Sequence, residues 1–152
     1  MRRAVMKKHS WVFPTLLIVV FGLAFVGGLR GMRPTPMAIK FAPSASAAFD
    51  QAKKEGKAVM IDFNADWCAP CQVMKREAFT DASVAALLED VVPVGINVDR
   101  PGADAEWLER EGQLALPTVV FYRADGTEIG RTVGYGGVEQ FKDEVETILS
   151  KK

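Results

Sequence analysis

Cysteine and histidine are nearly missing from this chain, whose 152 residues hold two of the first and one of the second. So few cysteines exclude a scaffold stapled by many disulfides, and two thiols with one distant histidine fall short of the roughly four ligands a structural zinc site uses. Acid is missing as well. Residues 1–40 contain no Asp or Glu but seven Lys and Arg, which leaves 12 basic against 19 acidic residues in the remainder. An acidic globular part lacks the basic stripe that binds phosphates, so a nucleic-acid partner is set aside. No internal repeat is visible. With 49% hydrophobic and 25% charged residues, the chain fits one globular domain with an extension.

The extension is at the front. From Trp11 to Leu29 no residue is charged and Thr15 alone is polar. As a helix rising about 1.5 Å per residue, this run just crosses a hydrocarbon core of about 30 Å. The expected organisation is a basic segment over 1–10, a transmembrane anchor over 11–29, a linker rich in Pro, Ser and Ala over 30–45, and a globular domain over 46–152. A cleaved signal peptide is the rival reading. Its apolar region is usually about 7 to 15 residues long, however, and the best small-residue cleavage pattern, Ala45 to Ala47, begins 16 positions beyond Leu29. Basic residues at both ends of the run argue against a buried soluble helix. Four of them before the span against three soon after it place the N-terminus inside and the domain outside, where disulfides persist. His9 lies in the basic leader and is read as a solvated polar residue.

Beyond the linker, "AAFDQAKKEGK" has helical composition closed by Gly56, and "AVMIDF" is a short apolar run suited to a strand buried on both faces. Pro70 to Phe79 reads as a helix, and "TDASVAALLED" as another capped by Thr80 or Asp81. "VVPVGINV" is the next strand, "ADAEWLEREG" an amphipathic helix stopped by Gly112, and Asp125-Gly126 the turn of a hairpin. "VEQFKDEVETIL" closes the chain with apolar residues at helical spacing. Strands and helices that alternate and then end in a hairpin predict an α/β fold with a mixed central sheet flanked by helices.

Both cysteines fall in "DFNADWCAPCQVMK", directly after the buried strand. A bridge between residues three apart closes a very small loop and stabilises less than a long-range one, so a purely structural disulfide is a poor use of this spacing. Cys-x-x-Cys at a strand-to-helix junction is instead a redox arrangement. The first sulfur then sits at a helix N-terminus, where unpaired N–H groups and the helix dipole favour the attacking thiolate. Ala69 and Pro70 add no charge, and Pro70 is tolerated in a first turn that has no acceptor for its missing N–H. An acid inside "VMIDFN" is desolvated by apolar neighbours, which raises its pKa; the alternative is an aspartate at the strand end facing water.

"VMIDFNADWCAPC", followed some fifty residues later by "LALPTVVFYRADG", resembles the thioredoxin superfamily. Within it, "ADWCAPC", "EAFTDASV" and "LALPT" are most similar to the C-terminal periplasmic thioredoxin-like domains of disulfide reductases of the DsbD type, over about residues 46–150. The resemblance implies a thioredoxin fold, disulfide reductase activity and protein-disulfide substrates; the one N-terminal transmembrane helix, expected from the uncharged run, lies outside it and precedes that fold. It implies that Cys68 is the exposed nucleophile, Cys71 the buried resolving thiol and Asp62 a buried acid that accepts a proton from Cys71. Pro117 matches a cis-proline facing the dithiol, and Trp67 matches a tryptophan packed beside the site, with plain core packing as its alternative. Trp67, Ala69, Pro70, Leu116 and Pro117 form either a docking patch for substrate or part of the core. Many members carry a lysine where this chain has Gly95, and the DsbD-type domains carry an acid where it has Lys75. Lys75, on the helix face of Cys71, either approaches Asp62 and restores the missing charge or is a solvated surface residue.

The expected activity is a membrane-tethered thiol–disulfide oxidoreductase of the inner membrane. It is single-pass and monomeric, with its domain facing the periplasm, and it reduces protein disulfides without a cofactor. It is reset by a membrane electron donor of DsbD type. Disulfide oxidation or isomerisation are the alternatives within the same chemistry, because direction depends on potential. A binding module or copper(I) metallochaperone is the alternative from another class, and the near absence of Met and His around "CAPC" speaks against it.

Overall fold

The apolar run in the middle of the chain decides the architecture. In this computed structural model, which describes residues 37–152, Ala58–Asn64 forms β1 and all seven of its residues are buried. A strand without a solvent face needs cover on both sides and a neighbour at each edge. In chain order the elements are α1 (Ala45–Glu55), β1, α2 (Ala69–Glu77), α3 (Ala82–Leu87), β2 (Val91–Asn97), a 3-10 turn (Gly102–Asp104), α4 (Ala105–Glu111), β3 (Thr118–Tyr122), β4 (Glu128–Val133) and α5 (Val138–Leu149). The sheet order is β2-β1-β3-β4. β2 runs parallel to β1, whereas β3 is antiparallel to β1 and β4 to β3, so the sheet is mixed as the element order predicts. Pro93 fits in β2 because that strand lies at the sheet edge.

Alternation along β1 divides the core in two. Ala58 and Met60 pack with Met74 of α2, Val84 of α3, and Phe141 and Val145 of α5. Val59, Ile61 and Phe63 face the other way, against Ala48, Phe49 and Ala52 of α1. On that side Phe49 stacks on Trp107 of α4 with ring centroids 4.7 Å apart. Asp62 shares the parity of Met60, so it points toward the layer that contains α2.

The helix ends follow the sequence signals. Asp81 accepts from the amides of Ser83 and Val84 and starts α3. Gly56, at φ 69°, closes α1 in the left-handed region that suits glycine, and its amide donates to Ala52 O.

The reading of 30–45 as linker does not hold at its C-terminal end, for residues 38–44 pack on the domain. The Ala38 amide donates to Phe79 O at 3.0 Å and the Ala42 amide to Pro93 O at 2.7 Å, which adds an isolated parallel bridge between Ala42 and Val94 at the outer edge of β2. Ile39 is 6% exposed, and the Phe41 ring lies 5.2 Å from that of Phe79. An edge strand leaves N–H and C=O groups unpaired, and this segment covers some of them. The transmembrane anchor expected over 11–29 lies outside the described residues. Among the described residues no helix is long and apolar enough to cross a membrane.

Candidate active site

β1 ends at Asn64, and after three intervening residues Cys68 is the N-cap of α2. The Cys68 Sγ accepts a hydrogen bond from the Cys71 amide at 3.2 Å, taking one of the donors that the first turn of a helix leaves free. Pro70 occupies that first turn at no hydrogen-bond cost. Cys68 and Cys71 are joined as a disulfide with their Cα atoms 5.3 Å apart. The two sulfurs differ less in exposure than expected, since Cys71 is fully buried and Cys68 is 3% exposed. The exposed nucleophile expected at 68 is thus nearly covered in this oxidised state. Its sulfur is bonded inward to Cys71, and Val98 and Leu116 pack against the pair.

Leu116 belongs to the loop before β3, and the Leu116–Pro117 peptide bond is cis. That loop is pinned on both sides: Thr118 Oγ1 donates to Ala115 O at 2.5 Å, and the Gly134 amide donates to Pro117 O at 2.8 Å. Pro117 itself is buried, so it is not part of an exposed patch, whereas Leu116 is partly exposed. Trp67 is no core residue. It is 70% exposed, and its indole N–H donates to Asp99 Oδ2 at 2.8 Å, which holds the ring in place while leaving it open to solvent. Ala69 and Pro70 are exposed beside it.

Asp62 lies behind the dithiol helix and is 1% exposed. Its Oδ2 accepts from Asn64 Nδ2 at 3.1 Å, while its Oδ1 has no partner. Burial pushes the Asp62 carboxyl up to about 7, against the opposing pull of the Lys75 charge and the Asn64 hydrogen bond. The water-facing alternative for this aspartate is therefore excluded. Lys75 is half-buried, and its Nζ donates to Asn64 Oδ1 at 2.8 Å, so it reaches Asp62 through Asn64. Asn64 belongs to no motif that marks it as part of the site. The available signal is its position two residues beyond Asp62 in the same strand, which puts both side chains on one face. Gly95 stands opposite Asp62 in the β1/β2 register. Beside it opens a cleft of about 370 Å³ lined by Phe41, Asp62, Asn64, Lys75 and Gly95, among others.

Among the described residues no cluster of three or more His, Cys, Asp or Glu side chains is placed to hold a metal ion. The chemistry this arrangement supports is sulfur exchange. The helix end stabilises a thiolate at 68, a second sulfur lies within bonding distance at 71, and a carboxyl of near-neutral pKa sits in the layer behind them.

Comparison with known proteins agrees with that chemistry. A family model described as thioredoxin-like matches residues 40–124. The thiol:disulfide interchange protein DsbD of Ralstonia nicotianae is 38% identical over 105 residues, covering 68% of this chain and 17% of that protein. A thioredoxin from Thermus thermophilus superposes with a TM-score of 0.66 at 27% identity, over 76% of this chain and 90% of its own. The C-terminal domain of Neisseria meningitidis DsbD, in its oxidised form, gives a TM-score of 0.55 at 24% identity, over 67% and 90%. The chain spans less than a fifth of the length of the DsbD relative it matches. Cys68 and Cys71 form a disulfide-bonded Cys-x-x-Cys pair at a strand-to-helix junction, an arrangement of the redox type. The chain belongs to the thioredoxin-like family.

Proposed function

We propose that this chain is a membrane-tethered reductase of protein disulfides that works on the extracytoplasmic side of an inner membrane. The observation that carries the reading is the seat of Cys68 Sγ at the first turn of α2, with its sulfur partner buried and an exposed Trp67 at its side. The uncharged run over 11–29 supplies the tether, and similarity to thiol:disulfide interchange proteins supports the exchange chemistry.

In the first step the Cys68 thiolate attacks a substrate disulfide. A Cys68–substrate disulfide forms, and the other substrate sulfur leaves as a thiolate that takes a proton from solvent. In the second step the Cys71 thiol gives its proton to the Asp62 carboxylate, and its sulfur attacks Cys68. The Cys68–Cys71 bond forms, the Cys68–substrate bond breaks, and the second substrate sulfur leaves. Two electrons pass from the dithiol to the substrate, and no cofactor takes part. The oxidised pair is then reset by a membrane dithiol donor of DsbD type. The patch of Trp67, Ala69, Pro70 and Leu116 receives the substrate backbone, and the chain acts as a monomer.

The reduction potential of the full chain tests the direction. A reductase has a potential nearer about −270 mV than the about −120 mV of a strong dithiol oxidant, and about 30 mV corresponds to a tenfold change in equilibrium. A value at the oxidising end overturns the assignment. Loss of insulin-disulfide reduction in Cys68→Ser, with retention in a variant of an exposed residue such as Lys53→Ala, ties the activity to this sulfur.

A further inference from the structure

We propose that Lys75 and Asn64 are positioning residues for the exchange: the Lys75 ammonium grips the Asn64 carboxamide by its oxygen, and the amide so oriented presents its NH2 group to one oxygen of Asp62, leaving the other oxygen free for the Cys71 proton. This rests on the reading of Asp62 as the proton acceptor. The orientation follows from chemistry. An ammonium has donors only, so the Asn64 side turned toward Lys75 must be Oδ1, and the side turned toward Asp62 must be Nδ2. The distances fit that order. Lys75 Nζ lies 2.8 Å from Asn64 Oδ1, and Asn64 Nδ2 lies 3.1 Å from both Asp62 Oδ2 and the Asp62 backbone oxygen. A positive charge at one end of the amide polarises it toward the carboxylate at the other.

The rest of the neighbourhood leaves Lys75 without a competitor. The cleft that Asp62 lines carries two other charged side chains among the described residues, Lys75 and Asp66. Asp66 is engaged by Arg100 and by Asn97 Nδ2. The strands beside Asp62 oppose it with Gly95 from β2 and Val119 from β3, neither of which is charged. Lys75 also sits one turn beyond Cys71 on α2, so the helix that carries the two sulfurs carries the countercharge of their proton acceptor. The place where a second cation fits is vacant by sequence. A Cβ built at Gly95 meets Asn64 and Phe41 only at ordinary contact, 3.7 Å.

The test is a carbon-13 NMR titration of the Asp62 carboxyl in the oxidised full-length chain, paired with the pH profile of its reduction of a protein disulfide. Lys75→Met is expected to raise the Asp62 midpoint by about one pH unit and to move the pH profile with it. Lys75→Arg keeps both near wild type, and adding Gly95→Lys to Lys75→Met brings both back. The proposal is overturned if the Asp62 midpoint in a folded Lys75→Met chain stays where it was, or if it moves while the pH profile does not. Asp62→Asn separates this from the underlying reading: unchanged exchange kinetics in that variant remove Asp62 as acceptor, whatever the titration of the lysine variants shows.

Discussion

The backbone amide of Cys71 points at the sulfur of Cys68 from 3.2 Å, so the atom that must bear negative charge after reduction already has a donor aimed at it. In the reduced chain this contact and the helix dipole act together on the thiolate. Iodoacetamide at pH 7 is expected to label Cys68 at least about five times faster than free cysteine, whose thiolate fraction at that pH is only a few per cent. The buried Cys71 is expected to stay unlabelled in native Cys68→Ser. Mass spectrometry of the labelled chain checks both, and equal labelling of Cys68 and free cysteine removes the helix-end argument.

Burial of Asp62 has a cost that depends on pH. Its carboxyl titrates near 7 in the folded chain and near 3.8 when unfolded. Between those values the native state holds a proton that the unfolded state has released, so stability falls as pH rises from about 4 to 7 and is level above that. Asp62→Asn removes the penalty. The variant is expected to be more stable than wild type at pH 8, by up to about 4 kcal/mol, and equal to it near pH 4. Urea unfolding at the two pH values decides it, and a gain of the same size at both would point to packing instead.

Much of this site is legible without coordinates, and the parts that are not share one reason. Cys68 at the head of a helix follows from an apolar strand ending just before Cys-x-x-Cys, with proline inside the next turn. The burial of Asp62 follows from the apolar residues on both sides of it in β1. Local pattern carries both. The Lys75–Asn64–Asp62 chain joins a helix to a strand, and spacing within either element does not show which atoms meet. The same holds for Trp67, whose exposure depends on Asp99, 32 residues away, fixing its indole N–H. Residues 38–44 mislead by composition. Ala38, Ala42, Pro43 and Ser44 read as linker, while Ile39 and Phe41 anchor the segment to the core.

Trp67 offers a large apolar surface at a fixed angle beside the redox pair. Such a plate matters for a partner large enough to cover it and little for a small disulfide. Trp67→Ala is expected to raise KM for a protein disulfide about tenfold, to leave the rate with a small aromatic disulfide within about twofold, and to change stability little. Steady-state kinetics with the two substrates test this. Equal losses for both would assign the tryptophan to the chemistry and not to docking.

Phe41 links the segment before α1 to the cleft that Asp62 lines. Its ring packs on Phe79 at 5.2 Å and forms part of the cleft wall near Gly95 and Asp62. Truncating it removes apolar contact, which for a partly buried ring costs about 1 to 3 kcal/mol. The same truncation admits water toward a carboxyl whose pKa is raised chiefly by desolvation, so the Asp62 midpoint should fall from about 7 toward its ordinary value. Phe41→Leu, which keeps most of the apolar cover, should lose less on both counts. Paired measurements of urea stability and Asp62 titration in Phe41→Ala and Phe41→Leu check the link. If stability falls and the midpoint stays put, the segment serves the fold alone, because a wall that does not exclude water from the acid cannot set when it takes up a proton.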